Sequence, residues 1–273
     1  MWLFFGRCFG LFFYLIDSHH RRITMINLKF AYGNEKKEKE LKTIALKNFQ
    51  QFGMIGFEWV RFVGLDRRRL EKLKGNIQIN GKEHLIEAKS KNRSVIIVSA
   101  HFGNWEYAHL YYADMFNRLN FIVRKIDNPL LEQLRVAYNQ RFGVNILYKE
   151  NGLRTAIKNL KKGEDLVIFA DRKANLNEGI PCRFFGQKTS TLSLVYALAK
   201  KFKIPIVPMF IFRCDDMVNH RLVFFPELNI EGMDKTEGTQ LQNDNIEKAI
   251  REHPAQWLWF HRKWKCYHPE IYE

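Results

Sequence analysis

Apolar positions open the chain as a solid block. Trp2 to Ile16 (WLFFGRCFGLFFYLI) is interrupted only by Arg7 and gives way to the polar run Asp17-Ser18-His19-His20-Arg21-Arg22. The block is shorter than the roughly 20 residues that a membrane-spanning helix needs. No small-x-small cleavage site follows it, which argues against a secretory leader. Basic residues just after an apolar segment tend to stay on the cytoplasmic side. Residues 1–20 therefore read as an N-terminal anchor, spanning a bilayer or lying in its interface, with a buried N-terminal helix as the alternative.

From Lys36 the pattern changes period. Leu41, Ile44, Ala45, Phe49, Phe52 and Ile55 recur at helical spacing among charged residues, predicting a helix through about Phe62. A basic stretch, Asp66 to Lys74, leads to an extended segment near Ile77-Gln78-Ile79 and a helix over Glu83 to Lys89. Ser94-Val95-Ile96-Ile97-Val98-Ser99 is a β-branched apolar run of strand length, the kind found in the middle of a covered sheet. Strand-like segments recur at Phe121 to Val123, Val144 to Leu147, Leu166 to Ala170, Ile206 to Phe212 and Arg221 to Phe225. Helical ones fall at Pro129 to Arg141, Leu153 to Leu160, Ser193 to Phe202 and Ile246 to Glu252. Strands alternating with helices predict an α/β fold. With no repeat, low-complexity tract or linker, residues 21–273 read as one domain, a length that single α/β domains commonly reach.

Charge narrows the partners. Lys and Arg number 44 against 29 Asp and Glu, a formal net charge of +15. A field of that sign draws nucleic acid, anionic lipid headgroups or an acidic carrier protein. The basic residues lie in small scattered groups, such as Arg67-Arg68-Arg69 and Arg262-Lys263, and no nucleic-acid-binding module accompanies them. A membrane or lipid partner is favoured and nucleic acid is not expected. Cys8, Cys182, Cys214 and Cys266 show no CxxC spacing, which makes a zinc knuckle or disulfide framework improbable.

The segment VIIVSAHFGNWE carries the chemistry. A buried strand ends near Ala100, and strand tips are where ligands bind in open α/β sheets. His101 stands at that tip and Glu106 follows five residues later. In an ideal helix that spacing sets the two on different faces. They could meet only across a turn, which Gly103 would permit. A His–carboxylate pair is the acid–base half of a triad, in which the carboxylate fixes the imidazole tautomer. No Ser or Cys nucleophile is evident beside it, so the pair would act directly on a substrate hydroxyl. A locally bonded His and a Glu in a helix's first turn is the plainer alternative. Arg124 follows a strand and precedes a helix, where a guanidinium can grip phosphate in bidentate fashion. Asp171 sits at another strand tip. His261 reads as a buried structural histidine rather than a second base.

HFGNWE, RKIDNPLLEQLR, LKKGEDLVIFADRKA, PCRFFGQKTST and WLWFHRKWK stand in the order and at about the spacing found in the late acyltransferases of lipid A biosynthesis, and the chain resembles that family from its N-terminal block almost to its C-terminus. The resemblance implies a central, mostly parallel sheet flanked by helices, with an anchor helix before it. It implies transfer of a fatty acyl chain from acyl carrier protein to the hydroxyl of a 3-hydroxyacyl chain on a lipid A precursor, at the cytoplasmic face of the inner membrane, with no metal or organic cofactor. His101 would be the general base and Glu106 its orienting acid. Asn104, Arg124 and Asp171 would be substrate-binding, with the amides around Gly103-Asn104, or Arg124, as oxyanion donors. The family's acidic Asp-x-Asp-like element reads Asp171-Arg172-Lys173 here, so its second acid is missing and Asp171 becomes a hydrogen-bonding or orienting residue. Phe184 to Thr191 would wall the pocket with a turn at Gly186, and the Trp-rich, basic segment Trp257 to Trp264 would suit the membrane interface. The rival readings are a glycerolipid or glycolipid acyltransferase using acyl-CoA, and a catalytically silent basic protein that binds membrane or nucleic acid.

Overall fold

The computed structural model describes residues 2–63, 71 and 74–273, with residues 61–63 as backbone only. Most of the basic stretch Asp66 to Lys74, including Arg67-Arg68-Arg69, lies outside the described residues. Three helices come first: α1 (Trp2–Ile16), α2 (Ser18–Tyr32) and α3 (Glu38–Val63). Strand β1 (Ile77–Asn80) and helix α4 (Lys82–Lys91) lead to β2 (Ile96–Ser99), α5 (Trp105–Met115), β3 (Leu119–Val123), α6 (Pro129–Arg141), β4 (Val144–Tyr148), α7 (Lys149–Lys161) and β5 (Asp165–Phe169). A hairpin, β6 (Ile180–Phe184) and β7 (Gln187–Thr191), precedes α8 (Leu194–Phe202), β8 (Ile206–Arg213), β9 (His220–Phe224) and α9 (Lys235–Glu252).

Seven strands form one sheet in the order β1-β9-β8-β2-β5-β3-β4. Every pair in it is parallel except β8–β9. The mostly parallel α/β sheet expected from the sequence is the one observed. All residues of β2 are buried, and their period-2 alternation serves two layers. Ile96 and Val98 join a core with Leu28, Leu198, Ile246 and Trp257 on one face, while Ile97 joins Leu110, Tyr112 and Val207 on the other.

Capping set the element boundaries that hydrophobic spacing misplaced. Asp17 accepts from the His20 backbone N–H at 3.0 Å and starts α2 inside the polar run after the apolar block. Asn104 caps α5. The reciprocal bonds of Asp234 and Glu237 start α9 at Lys235, well before the expected Ile246. Phe184 to Thr191 forms a hairpin turning at Phe185 and Gly186, both at positive φ.

Helix α1 lies against α3 with almost no side chain between them. A Cβ on Gly10 would come within 2.3 Å of the Phe49 carbonyl oxygen, and one on Gly53 within 2.2 Å of the Gly6 carbonyl oxygen. The opposite face of α1 is bare, and Phe4 and Leu15 are 66% and 64% exposed. At 15 residues the helix is about 22 Å long. No helix among the described residues is long and apolar enough to cross a membrane, so the expected anchor helix is not supported as a span.

The Trp-rich C-terminal segment is also corrected. Trp257, Trp259, Lys263 and Trp264 are fully buried, so the tryptophans and this lysine belong to the core and do not face a membrane interface. The segment's backbone is strapped down from α2 and α3. Asn27 donates to the Trp259 and His261 carbonyls, and Asn48 to those of Ala255 and Trp257.

Candidate active site

Because β8, β2, β5, β3 and β4 run parallel, their C-terminal ends share one edge of the sheet. His101 follows β2 and Asp171 follows β5, its hydrogen-bonded neighbour. Between β2 and α5 the chain reverses at Gly103, at φ +56, where a Cβ would lie 1.9 Å from the Ile211 carbonyl oxygen. Both the left-handed backbone and the closeness of β8 demand glycine there.

The imidazole meets a carboxylate, and the carboxylate is Asp171. His101 Nδ1 lies 3.0 Å from Asp171 Oδ1, while Oδ2 accepts the His101 backbone N–H at 3.0 Å and the Trp257 indole N–H at 2.9 Å. Burial pushes the Asp171 carboxyl up, but the facing His101 and the donors from His101 and Trp257 outweigh it and hold the group well below the usual carboxylate range. An ionised acceptor at Nδ1 sets the proton there and leaves Nε2 with its lone pair. The His101 ring packs on Phe169 and Trp105, with centroids at 5.0 and 5.5 Å, and the side chain is 20% exposed.

The remaining expected residues fall in different places. Glu106 lies in the first turn of α5 and makes no hydrogen bond to His101 among the described residues; its Oε2 is 3.9 Å from His109 Nε2. Orientation of the ring at Nδ1, assigned to Glu106 from spacing, is thus performed by Asp171. Asn104 is buried, accepting the Tyr107 N–H that caps α5 and donating to Glu58 Oε2 at 2.8 Å. These bonds shape the turn. The Gly103 amide donates to the Gln256 carbonyl at 2.9 Å, which removes it from the oxyanion donors. Arg124 stands at the tip of β3 on the same edge, exposed and paired with Asp127 at 3.2 Å. His261 is half-buried, with its Nε2 out of solvent and its ring 6.2 Å from that of His101, and desolvation pushes its pKa down to about 4.

Sequence reasoning missed a network beneath the turn. Arg213, at the end of β8, donates to both oxygens of Glu58, at 2.7 and 2.5 Å, and to Gln51 Oε1 at 2.8 Å. Gln256 brackets the backbone of Arg213 from both sides. Glu58 and Gln51 both lie on α3, so this buried pair ties the helix under α1 to the catalytic turn through Asn104. A Glu inside a predicted amphipathic helix and an Arg ending an apolar strand were the only traces in the sequence. Lys263 is a second surprise: its Nζ is buried with no hydrogen-bond partner among the described residues, above the Phe184 ring, and burial pushes its pKa down to about 8.

The site is thus a carboxylate-held histidine at the tip of a central parallel strand in an α/β sheet. Residues 1–266 match the family described as bacterial lipid A biosynthesis acyltransferase, and the chain belongs to that family and is an acyltransferase. It is 25% identical over 250 residues to a lipid A biosynthesis lauroyltransferase of Escherichia coli (strain K12), covering 89% of this chain and 78% of that one. A lipid A biosynthesis acyltransferase of Haemophilus influenzae is 22% identical over 233 residues, covering 85% of this chain and 72% of its own length. A phosphatidylinositol mannoside acyltransferase of Mycolicibacterium smegmatis is 23% identical over 211 residues, covering 76% and 67%.

Proposed function

We propose that this acyltransferase moves a fatty acyl chain from acyl carrier protein to the hydroxyl of a 3-hydroxyacyl chain on a lipid A precursor, with His101 as general base. The observation that carries the reading is the His101–Asp171 contact, which holds the ring by Nδ1 at the C-terminal edge of the parallel strands. His101 Nε2 takes the hydroxyl proton as the oxygen attacks the thioester carbonyl. The C–S bond then breaks, and the imidazolium returns the proton to the departing thiolate. Asp171 holds the tautomer and offsets the imidazolium charge. Glu106 makes no hydrogen bond within the chain among the described residues, so its carboxylate is available to the acceptor hydroxyl or to the developing positive charge. Arg124 supplies an exposed guanidinium for a substrate phosphate on the same edge. The bare face of α1 lies in the bilayer interface at the cytoplasmic side of the inner membrane, where a lipid acceptor is found.

The similarity to a phosphatidylinositol mannoside acyltransferase supports a second reading, in which the acceptor is another glycolipid and the donor acyl-CoA. In vitro transfer to a tetra-acylated lipid A precursor, with carrier-bound and CoA-bound acyl chains of several lengths, separates the two. The first reading expects carrier-dependent transfer that His101→Ala reduces by about 10²–10⁴-fold. A His101→Ala enzyme that kept more than roughly a tenth of the rate would overturn the general-base mechanism.

A further inference from the structure

Helix α6 is amphipathic in the wrong sense for a soluble surface. It buries Glu132, Tyr138 and Asn139 and exposes Leu130, Leu131, Leu134 and Ala137. Residues at this spacing share a helix face. Leu130 is 68% exposed, while Glu132 is buried with Arg135 at 2.7 Å and the Tyr148 hydroxyl. Internal polar partners thus hold the helix in an orientation that keeps its leucines outward. Its N-terminus, capped by Asn128, follows Arg124 and Lys125, both exposed.

The location of this face matters as much as its composition. Helix α6 begins beyond the tip of β3, on the edge that carries His101 and Asp171. With strands about 4.8 Å apart, the tip of β3 lies roughly 10 Å from that of β2. On the other side of His101, Trp2 and Leu3 of α1 line a cavity with Ile77, Val218 and His220, residues at the same edge of β1 and β9. Bare apolar surface therefore flanks the catalytic edge on both sides. Lys125 and Arg124, the latter paired with the exposed Asp127, put cationic groups beside the leucines, a combination that suits an anionic bilayer.

We propose that the Leu130-Leu131-Leu134 face of α6 is a second bilayer-contact element, which together with α1 seats the catalytic edge on an anionic lipid surface. The proposal rests on the reading that the acceptor is membrane-borne, but its first test needs no turnover. The full chain and a Leu130→Ser/Leu131→Ser/Leu134→Ser variant are titrated with phosphatidylethanolamine–phosphatidylglycerol vesicles and with phosphatidylcholine vesicles. Because these leucines are surface residues, the variant should keep the wild-type unfolding midpoint. Its partitioning onto the anionic vesicles should weaken by roughly tenfold or more. Wild-type binding should be weaker to phosphatidylcholine and should fall as salt rises. Transfer to acceptor held in vesicles should fall in parallel, with transfer to detergent-dispersed acceptor retained. Unchanged partitioning overturns the proposal, as does equal wild-type binding to both vesicle types. Loss of transfer in detergent too would make these leucines part of the substrate pocket and overturn it. So would a change of oligomeric state or loss of acyl-carrier-protein binding with vesicle binding intact. If the wild-type chain transfers nothing in either medium, the proposed function fails while the vesicle titration still decides this inference.

Discussion

Asp171 holds His101 at two points, with Oδ1 3.0 Å from the ring Nδ1 and Oδ2 on the backbone N–H of the same residue. One carboxylate thus positions both the imidazole and the strand tip that carries it. Asp171 is fully buried, so both bonds are made away from bulk solvent.

Asp171→Asn should lower the transfer rate at saturating substrate by about 10²–10⁴-fold, since an amide presents the wrong group to Nδ1 and loses the charge that offsets the imidazolium. KM should change far less. Glu106→Gln should lose less than Glu106→Ala, and the double variant with His101→Ala should be no worse than His101→Ala alone, because the groups act as a unit. Steady-state kinetics on the five variants reads all of this. An Asp171→Asn enzyme within about threefold of wild type would remove Asp171 from the mechanism.

Glu58→Ala should destabilise the fold by about 3–5 kcal/mol, because it leaves the Arg213 guanidinium buried without its partner. Urea unfolding gives the number. Asn104 also loses its acceptor, so activity at temperatures where the variant is still folded should fall through kcat. Glu58→Gln should recover part of the stability and little of the charge compensation.

Gly53→Val should undock α1 without unfolding the sheet, since any Cβ there would meet the Gly6 carbonyl and Gly10 backbone at 2.2–2.8 Å. Limited proteolysis should cut between α1 and α2 faster in the variant. Equal cleavage rates would show that the helix pair tolerates separation.

Two desolvated histidines, the buried His220 and the half-buried His261, predict the acid limb of stability. Burial, helped by the Arg213 charge, pushes His220 down to about 3, and burial pushes His261 down to about 4, both from 6.5. A folded pKa below the unfolded value means that the unfolded chain binds protons first as pH falls. Their contribution is therefore complete above about pH 6.5 and is lost progressively between there and pH 3–4. The depressed Asp171 carboxyl adds a further loss below about pH 3.8. The thermal midpoint should fall across this window, and His261→Phe should flatten its upper part. A midpoint constant from pH 6.5 to 4 would contradict the desolvation of both rings.

Much of the scaffold is legible from hydrophobic spacing because it expresses local preference. The β-branched run before Ala100 has the composition of a central strand and forms one, and Gly103 stands where a turn must follow. Helices α2 and α5 are not legible that way. Their starts depend on single capping side chains, Asp17 and Asn104, and on faces whose burial is decided by distant elements. The Trp257 to Trp264 segment misleads for the same reason. Tryptophan beside lysine has the composition of a membrane interface, and only the straps from Asn27 and Asn48 show that it is core.

The sequence by itself determined an α/β chain with a histidine at a strand tip, a basic surface and an apolar first helix, because period, propensity and charge are properties of neighbouring residues. Which carboxylate meets that histidine was decided only by tertiary structure. Glu106 is near in the chain but is carried into a helix, whereas Asp171, seventy residues later, is brought across by the pairing of β2 with β5. The linkage of Glu58 with Arg213 and the outward leucines of α6 are of the same kind. Each depends on which strand lies beside which and which face a helix turns inward, and that is set by the packing of the whole chain.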